Sequence, residues 1–346
     1  MAEPAEKQGA DETRRPLGAE VGTRSPRGEG GLTVSAGPTV AAAVREEREA
    51  EDRCPLCGAR DATRRFPGIR AGDVEERART GAYRITSSER RLIPFILRCS
   101  SCGLSYLPAA WRRSGRSTYE SGADPEYLES ESDRRLNARR LLEMLPSRGR
   151  LLDVGCAYGL LLRAARELGF DPHGLEPSHE MAAVARASTG FPIDVGFLED
   201  VAPMGPPYDV IVMADVFEHL EDPLAGLARA RDLLARGGRI LLLTPDVGSL
   251  AARLAGPGWW GLLDDHNFYF DRRTLRSALA RTGFEVEILR SFGRRLPLGV
   301  WASKLRPYGA RWSTLGESAV RLVGLSRTSL TVNFGDQMVC LARRVQ

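Results

Sequence analysis

Lysine is almost absent from this 346-residue chain: Lys7 and Lys304 are its only two, and nearly all of the 49 basic residues are arginine. Set against 45 acidic residues this leaves a net charge of +4, small for the length, and a skew to arginine of this kind reads as compositional bias more than as a phosphate-binding surface. Dedicated nucleic-acid binding is therefore not the expectation. No apolar run approaches the ~20 residues of a membrane helix, and the opening stretch MAEPAEKQGADETRR has no apolar signal segment. A cytoplasmic protein without a membrane partner is expected. Aromatic residues are missing altogether from residues 1–50, which are rich in Gly, Pro, Glu and Arg and show no sustained period of 3.6 or 2. That stretch is predicted to be a disordered tail, with helix formers that could support a short helix over 41–52.

Cysteine is also sparse, yet four of the six stand in two knuckles, Cys54-Pro-Leu-Cys57-Gly and Cys99-Ser-Ser-Cys102-Gly. Each Cys-x-x-Cys is followed by a glycine that permits a tight turn around a metal, and four thiolates complete a tetrahedral structural zinc site. Residues 51–108 are thus read as a zinc ribbon whose knuckles are separated by a long, arginine-rich insertion. Cys156 and Cys340 lie in apolar contexts and read as small packing residues.

Residues 109–147 read as a helical linker or lid, with Leu136, Leu141, Leu142 and Leu145 on one face and Pro146 ending the helix. From 148 to 346 apolar runs alternate with helical segments, as in a doubly wound parallel α/β sheet. The strands are RLLDVG, DPHGLE, PIDVGF, YDVIVMAD, RILLLTP, EVEILRS and DQMVCLARR. Helices fill the gaps, including one over 223–238, and a helical insertion spans about 296–328 before the final strand.

Strand RLLDVG runs into a turn of small residues, Gly155, Ala157 and Gly159, and then a helix. Small residues let the backbone approach a nucleotide-like ligand, and the helix N-terminus faces it with N–H groups. Asp153 before the first glycine would repel a pyrophosphate but suits an ammonium or an amino-acid-like group. Glu176, closing the second strand, can accept hydrogen bonds from both hydroxyls of an unphosphorylated ribose. An amino-acid tail on a free ribose describes S-adenosyl-L-methionine.

The ordered motifs DVGCAYG, LEPS, YDVIVMADVFEHL and GGRILLLTP resemble those of class I S-adenosylmethionine-dependent methyltransferases, over about residues 135–345. The resemblance implies a Rossmann-like, seven-stranded sheet with its last strand antiparallel. It also implies cofactor contacts from Asp153, Gly155, Ala157, Gly159, Glu176 and Pro177. Leu198 and Glu199 would flank the adenine, Ala214, Asp215 and Val216 would line the sulfonium, and His219 would stand beside them.

With its ribbon the layout is similar to zinc-containing methyltransferases of sugars and natural products. Their Tyr-x-Glu-His-x-x-Tyr-Phe motif would fall on Leu263, Asp265, His266, Tyr269 and Phe270, departing at Leu263 and Asp265. That departure weighs against carbon methylation of a keto-sugar and leaves a hydroxyl of a small-molecule acceptor as the expected target. His266 is the expected general base, with Asp265 orienting its ring and Tyr269 beside it. An RNA methyltransferase that grips RNA through the ribbon, and a non-catalytic cofactor-binding scaffold, remain as alternatives.

Overall fold

The computed structural model describes residues 53–66, 95–109, 112, 119–120, 122, 124–202, 205–263, 265–303 and 310–345. The predicted tail, the bulk of the insertion between the knuckles and part of the linker lie outside the described residues. So does the middle of the helical insertion.

The central sheet contains strands β4 (Arg150–Val154), β5 (Asp171–Glu176), β6 (Ile193–Val195), β7 (Tyr208–Ala214), β8 (Leu234–Pro245), β10 (Phe284–Ser291) and β13 (Gln337–Arg344). Its seven strands run in the order β10-β13-β8-β7-β4-β5-β6, with β13 antiparallel to both neighbours and the β8-to-β6 half parallel. This is the doubly wound, last-strand-antiparallel sheet that the sequence motifs imply.

Both faces of the sheet are covered, so its central strands are nearly continuous apolar runs. Alternate residues sort to opposite sides. Leu152, Ile211, Met213, Ile240 and Leu242 pack with helices α4 (Pro223–Leu233) and α6 (Arg272–Arg281), whereas Leu151, Val210, Val212, Leu241 and Leu243 pack with α1 (Glu131–Leu142) and α2 (Leu160–Glu167). Helix starts follow local capping chemistry. Ser178 accepts from Met181 N at the head of α3 (His179–Thr189), and Asp222 accepts from the N–H groups of Leu224 and Ala225 just before Pro223.

Several expectations need correction. Helix α4 stops at Leu233 and the chain enters β8 at once, because Gly237, at φ +75°, and Gly238 favour a bend over helix. The linker helix begins at Glu131, preceded by a 3₁₀ turn over Pro125–Ser130 that Pro125 starts. Leu136 faces solvent at 40% exposure, while Leu141, Leu142 and Leu145 are buried as expected. The helical insertion is bracketed by an unforeseen hairpin, β11 (Arg294–Pro297) against β12 (Ser329–Val332). His173 has Nε2 2.6 Å from Asp194 Oδ2. Among the described residues no helix is long and apolar enough to cross a membrane.

The ribbon strands β1 (Ala62–Phe66), β2 (Ile96–Cys99) and β3 (Ser105–Tyr106) form a second sheet, and a strand from the other half of the chain completes it: β9 (Phe268–Tyr269) pairs antiparallel with β3. The knuckle residues Cys54, Leu56, Cys99, Leu104 and Tyr106 join the same buried cluster as Leu152, Phe217 and Phe270. Ribbon and main sheet therefore share a core. Leu104→Ala should cost about 2–5 kcal/mol, the range for emptying a buried leucine site. In calorimetry this should lower the melting temperature of one common transition; an independent, earlier ribbon transition would contradict a shared core.

Candidate active site

The turn after β4 is held by its own amides: Gly155 and Cys156 N–H donate to Leu175 O at 2.8 and 3.1 Å, and Gly159 N–H donates to Cys156 O at 2.8 Å. Three residues of the turn have left-handed backbones, Gly155 (φ 71°), Ala157 (φ 46°) and Gly159 (φ 77°). Glycine is required at 155, where an added Cβ would sit 2.7 Å from Val216 Cγ2. Ala157 adopts the strained region with a side chain, and its methyl packs with Tyr158 and Met181.

Glu176 ties this turn to the next. One carboxylate oxygen accepts from Ala157 N–H at 2.8 Å, the other from Ser178 N–H at 2.9 Å. Burial pushes Glu176 up to about 7, against those two N–H bonds, which favour the ionised form. Asp153 is pushed up as well, by burial first and by the neighbouring Glu176 charge second.

A cleft of about 180 Å³ opens at the carboxyl ends of β4, β5 and β7, where ligands bind in open α/β sheets. Gly155, Glu176, Pro177, Leu198, Glu199, Ala214, Asp215, Val216 and His219 all line it. Asp153, Ala157 and Gly159 are not on the lining, and Asp153 is only 3% exposed. The cleft also holds residues that sequence reasoning missed: Tyr119 and Tyr127 from the segment before α1, Arg134 from the first turns of α1, and Phe197 beside Leu198. Arg134 lies over the Tyr127 ring at 3.7 Å, and Tyr127 stands 5.7 Å from Tyr158. Nothing in their spacing marks them; only the fold returns that segment to the cleft, with Ser178 Oγ donating to Gly122 O at 2.6 Å and Tyr158 Oη accepting from Asp124 N–H at 3.0 Å.

Past β7 the chain turns sharply at Asp215 (φ 58°), whose carboxylate pairs with Arg294 of β11. His219 follows on a short 3₁₀ turn. Its Nδ1 lies 2.9 Å from Asp265 O and 3.1 Å from Tyr119 Oη, with Asp265 Oδ2 at 3.8 Å. A carbonyl can only accept, so this contact places the proton on Nδ1 and leaves the lone pair of the neutral ring on Nε2.

His266 is arranged differently from expectation. It is 4% exposed and outside the cleft lining, with Nδ1 3.1 Å from Gly261 O and Nε2 4.0 Å from Glu218 Oε1. Burial, then the adjacent His219, lowers its pKa to about 4, which makes it a weak base at neutral pH. Asp265 is engaged by His219, and Tyr269, 2% exposed, donates its hydroxyl to Leu263 O at 2.6 Å. The expected acceptor-side trio is thus split: Asp265 reaches the cleft through His219, while His266 and Tyr269 pack beneath.

Two groups of side chains could hold a metal. The sulfurs of Cys54, Cys57, Cys99 and Cys102 lie within 4.8 Å of one another, and the Cys54–Cys102 and Cys57–Cys99 pairs are 3.4 and 3.5 Å apart. A tetrahedron with metal–sulfur bonds of 2.3 Å has edges of about 3.8 Å, so small outward shifts fit zinc. Glu218, His219 and His266 also bring ligand atoms within 4.8 Å of one another. Glu218 Oε1 is buried without a hydrogen-bond partner, and burial pushes that carboxyl up to about 7.

Residues 128–289 match the family model for a methyltransferase domain. The chain contains a methyltransferase domain. Among curated relatives, it is 37% identical over 142 residues to the ubiquinone biosynthesis O-methyltransferase of Cereibacter sphaeroides, covering 39% of this chain and 56% of the relative. The corresponding enzyme of Ruegeria pomeroyi is 35% identical over 116 residues, covering 32% and 45%. The methyltransferase-domain chain thus spans about half the length of the curated relatives it matches. Among solved structures, an S-adenosylmethionine-dependent methyltransferase from Mesorhizobium loti aligns with TM-score 0.41 at 23% identity, over 59% of this chain and 96% of the other. One from Archaeoglobus fulgidus gives 0.43 at 16%, over 64% and 100%.

The buried Glu176 should leave a pH signature in this domain. Its carboxyl holds a proton up to about 7 when folded and to its ordinary 4.5 when unfolded. Between those values the folded state binds more protons, so the stability of the ligand-free protein should fall as pH rises, by about 1–3 kcal/mol in total. Denaturant titrations of Glu176→Gln against the parent from pH 4.5 to 7.5 check this: the substitution should flatten that part of the profile.

Proposed function

We propose that this chain is an S-adenosylmethionine-dependent methyltransferase of a small molecule, acting at a hydroxyl oxygen, with His219 as the general base. The observation that carries the reading is the His219 ring on the cleft wall, its Nδ1–H held by Asp265 O and its Nε2 lone pair unspent. The names of the curated relatives support an oxygen acceptor.

The cleft suits the cofactor by chemistry as well as position. Glu176 offers a carboxylate to the ribose hydroxyls, and its two backbone partners hold it rigid while each oxygen keeps a further lone pair. Phe197 and Leu198 provide an apolar site for the base with Glu199 alongside, and Arg134 beside Tyr127 gives a cation for the amino-acid carboxylate. Asp153 and the small residues Ala157 and Gly159 shape the turn from behind the lining, and Pro177 continues the wall after Glu176. When bound, S-adenosylmethionine supplies an electrophilic methyl group for in-line displacement. The chain's own contribution is orientation and proton removal: His219 takes the acceptor hydroxyl's proton at Nε2 as the oxygen attacks, and Asp265 stabilises the resulting imidazolium through Nδ1. Ala214, Asp215 and Val216 keep the backbone beside the reacting centre, and the Arg294 pair fixes Asp215.

Zinc on Cys54, Cys57, Cys99 and Cys102 completes the reading as a structural ion. Its place is in the shared core, away from proton transfer.

Purified protein incubated with methyl-labelled cofactor and a panel of phenols, nucleotide-sugars and RNA identifies the acceptor class. On the acceptor found, His219→Gln should lower turnover by roughly 10²- to 10⁴-fold while calorimetry shows cofactor affinity retained. Unchanged turnover, or label appearing only in RNA, would overturn the proposal. Metal analysis should find one zinc per chain, lost in Cys99→Ser. A second equivalent that survives that substitution would place an ion at Glu218, His219 and His266.

A further inference from the structure

Asn267 was not singled out by any motif, yet it stands where the ribbon meets the site. Its side chain is 1% exposed, and Nδ2 donates to two consecutive carbonyls, His219 O at 3.0 Å and Leu220 O at 3.1 Å. Its own carbonyl accepts from Leu107 N–H at 3.0 Å, one residue past ribbon strand β3, and the next two residues form β9 on that strand. A continuous hydrogen-bonded path therefore runs from the Cys99–Cys102 knuckle through β3 to Asn267 and on to the backbone of His219.

We infer that Asn267 is a positioning residue through which the metal-binding ribbon fixes His219. The inference rests on the proposed role of His219 for its catalytic meaning, though not for the coupling itself. Three observations carry it. The 217–219 segment is a single 3₁₀ turn, so its first and last backbone groups lack the ladder a longer helix would supply, and the two carbonyls bonded by Asn267 lie at its end. Phe217 is stacked on Phe270, 4.6 Å between centroids, just beyond β9, so both ends of the turn rest on the β9 segment. Arg65 of ribbon strand β1 bridges Ser105 Oγ and Val247 O, each at 2.9 Å, clamping β3 to the chain leaving β8. The ribbon thus acts as a brace for the base, and β9 with Asn267 is the coupling.

No apolar substitute can do this, because two buried carbonyls would be left without donors. Asn267→Ala, with zinc still bound, should weaken the hold on His219 without disturbing the cofactor turn. Two readouts separate this from general destabilisation. Amide hydrogen exchange of the full chain should show protection over 217–220 reduced about tenfold or more, with β4 and β5 unchanged. The histidine ring signals, few in a chain with four histidines, should show a changed chemical shift for His219 at constant pH, assigned by its loss in His219→Gln. Stripping zinc with a chelator should reproduce the loss of protection at 217–220 in the parent protein. Asn267→Gln, which restores an amide donor, should recover part of it.

If Asn267→Ala leaves 217–220 as protected as the parent, or if metal removal loosens the ribbon while 217–220 stays protected, the coupling is wrong. Should Asn267→Ala fail to fold, the chelator and Asn267→Gln exchange experiments decide the same question. Exchange reads the coupling even if His219→Gln proves fully active, so failure of the base assignment and failure of the brace are told apart.

Discussion

A single carboxylate, that of Glu176, joins the two turns on which the cleft depends. Its oxygens take one N–H from the turn after β4 and one from the turn after β5. The two loops that form one wall of the cavity therefore cannot move independently. The cost is burial, which raises the pKa of Glu176 and of the neighbouring buried acid Asp153, the latter further through the Glu176 charge. A ligand that brought hydroxyl donors to Glu176 would relieve part of that cost, so the empty cleft is the less favourable state for the charged form.

The fold was legible because its signal is local and repeated. Apolar runs set each strand, and the small residues at 155, 157 and 159 together with Glu176 mark the turns at the cleft. Boundaries slipped where two local tendencies compete, as at 234–238, where helix formers meet Gly237 and Gly238. Glu176, Pro177, Leu198, Glu199 and Ala214 come together on one cleft because strand ends converge in this sheet by topology. On the acceptor side, motif order does not say which histidine of a neighbouring pair faces the cavity, and it is His219 that lines the cleft. His219 and His266 stand 4.7 Å apart and edge to face, and burial of His266 is what separates them. Tyr119, Tyr127, Arg294 and Asn267 make their contacts across the chain at long range, and no periodicity announces such contacts.

The ribbon reads in sequence as a separable module, and its knuckles are indeed local. Its third strand, however, finds its partner far downstream, where Ser105 faces Tyr269 and Tyr106 faces Phe268, 164 and 162 residues away. Closing this sheet requires β9, and with it the main domain, to be in place. Folding of the ribbon is therefore completed by the main domain, and the apolar knuckle residues are covered only once that contact is made.

The hairpin that brackets the helical insertion has a further meaning. Pro297 pairs with Ser329, and the hairpin is anchored to α1 by Asn137, which donates to Arg295 O at 2.8 Å and accepts from Arg295 N–H at 2.9 Å. The two ends of the insertion are thus held side by side and fastened to the body before the intervening chain departs. Lengthening a flexible loop between fixed ends costs only about 0.6 kcal/mol per doubling. The stretch between Pro297 and Ser329 can therefore be exchanged, extended or rebuilt while β10 and β13 keep their register, which makes it the part of the molecule where a lineage could change its surface without rewriting its sheet.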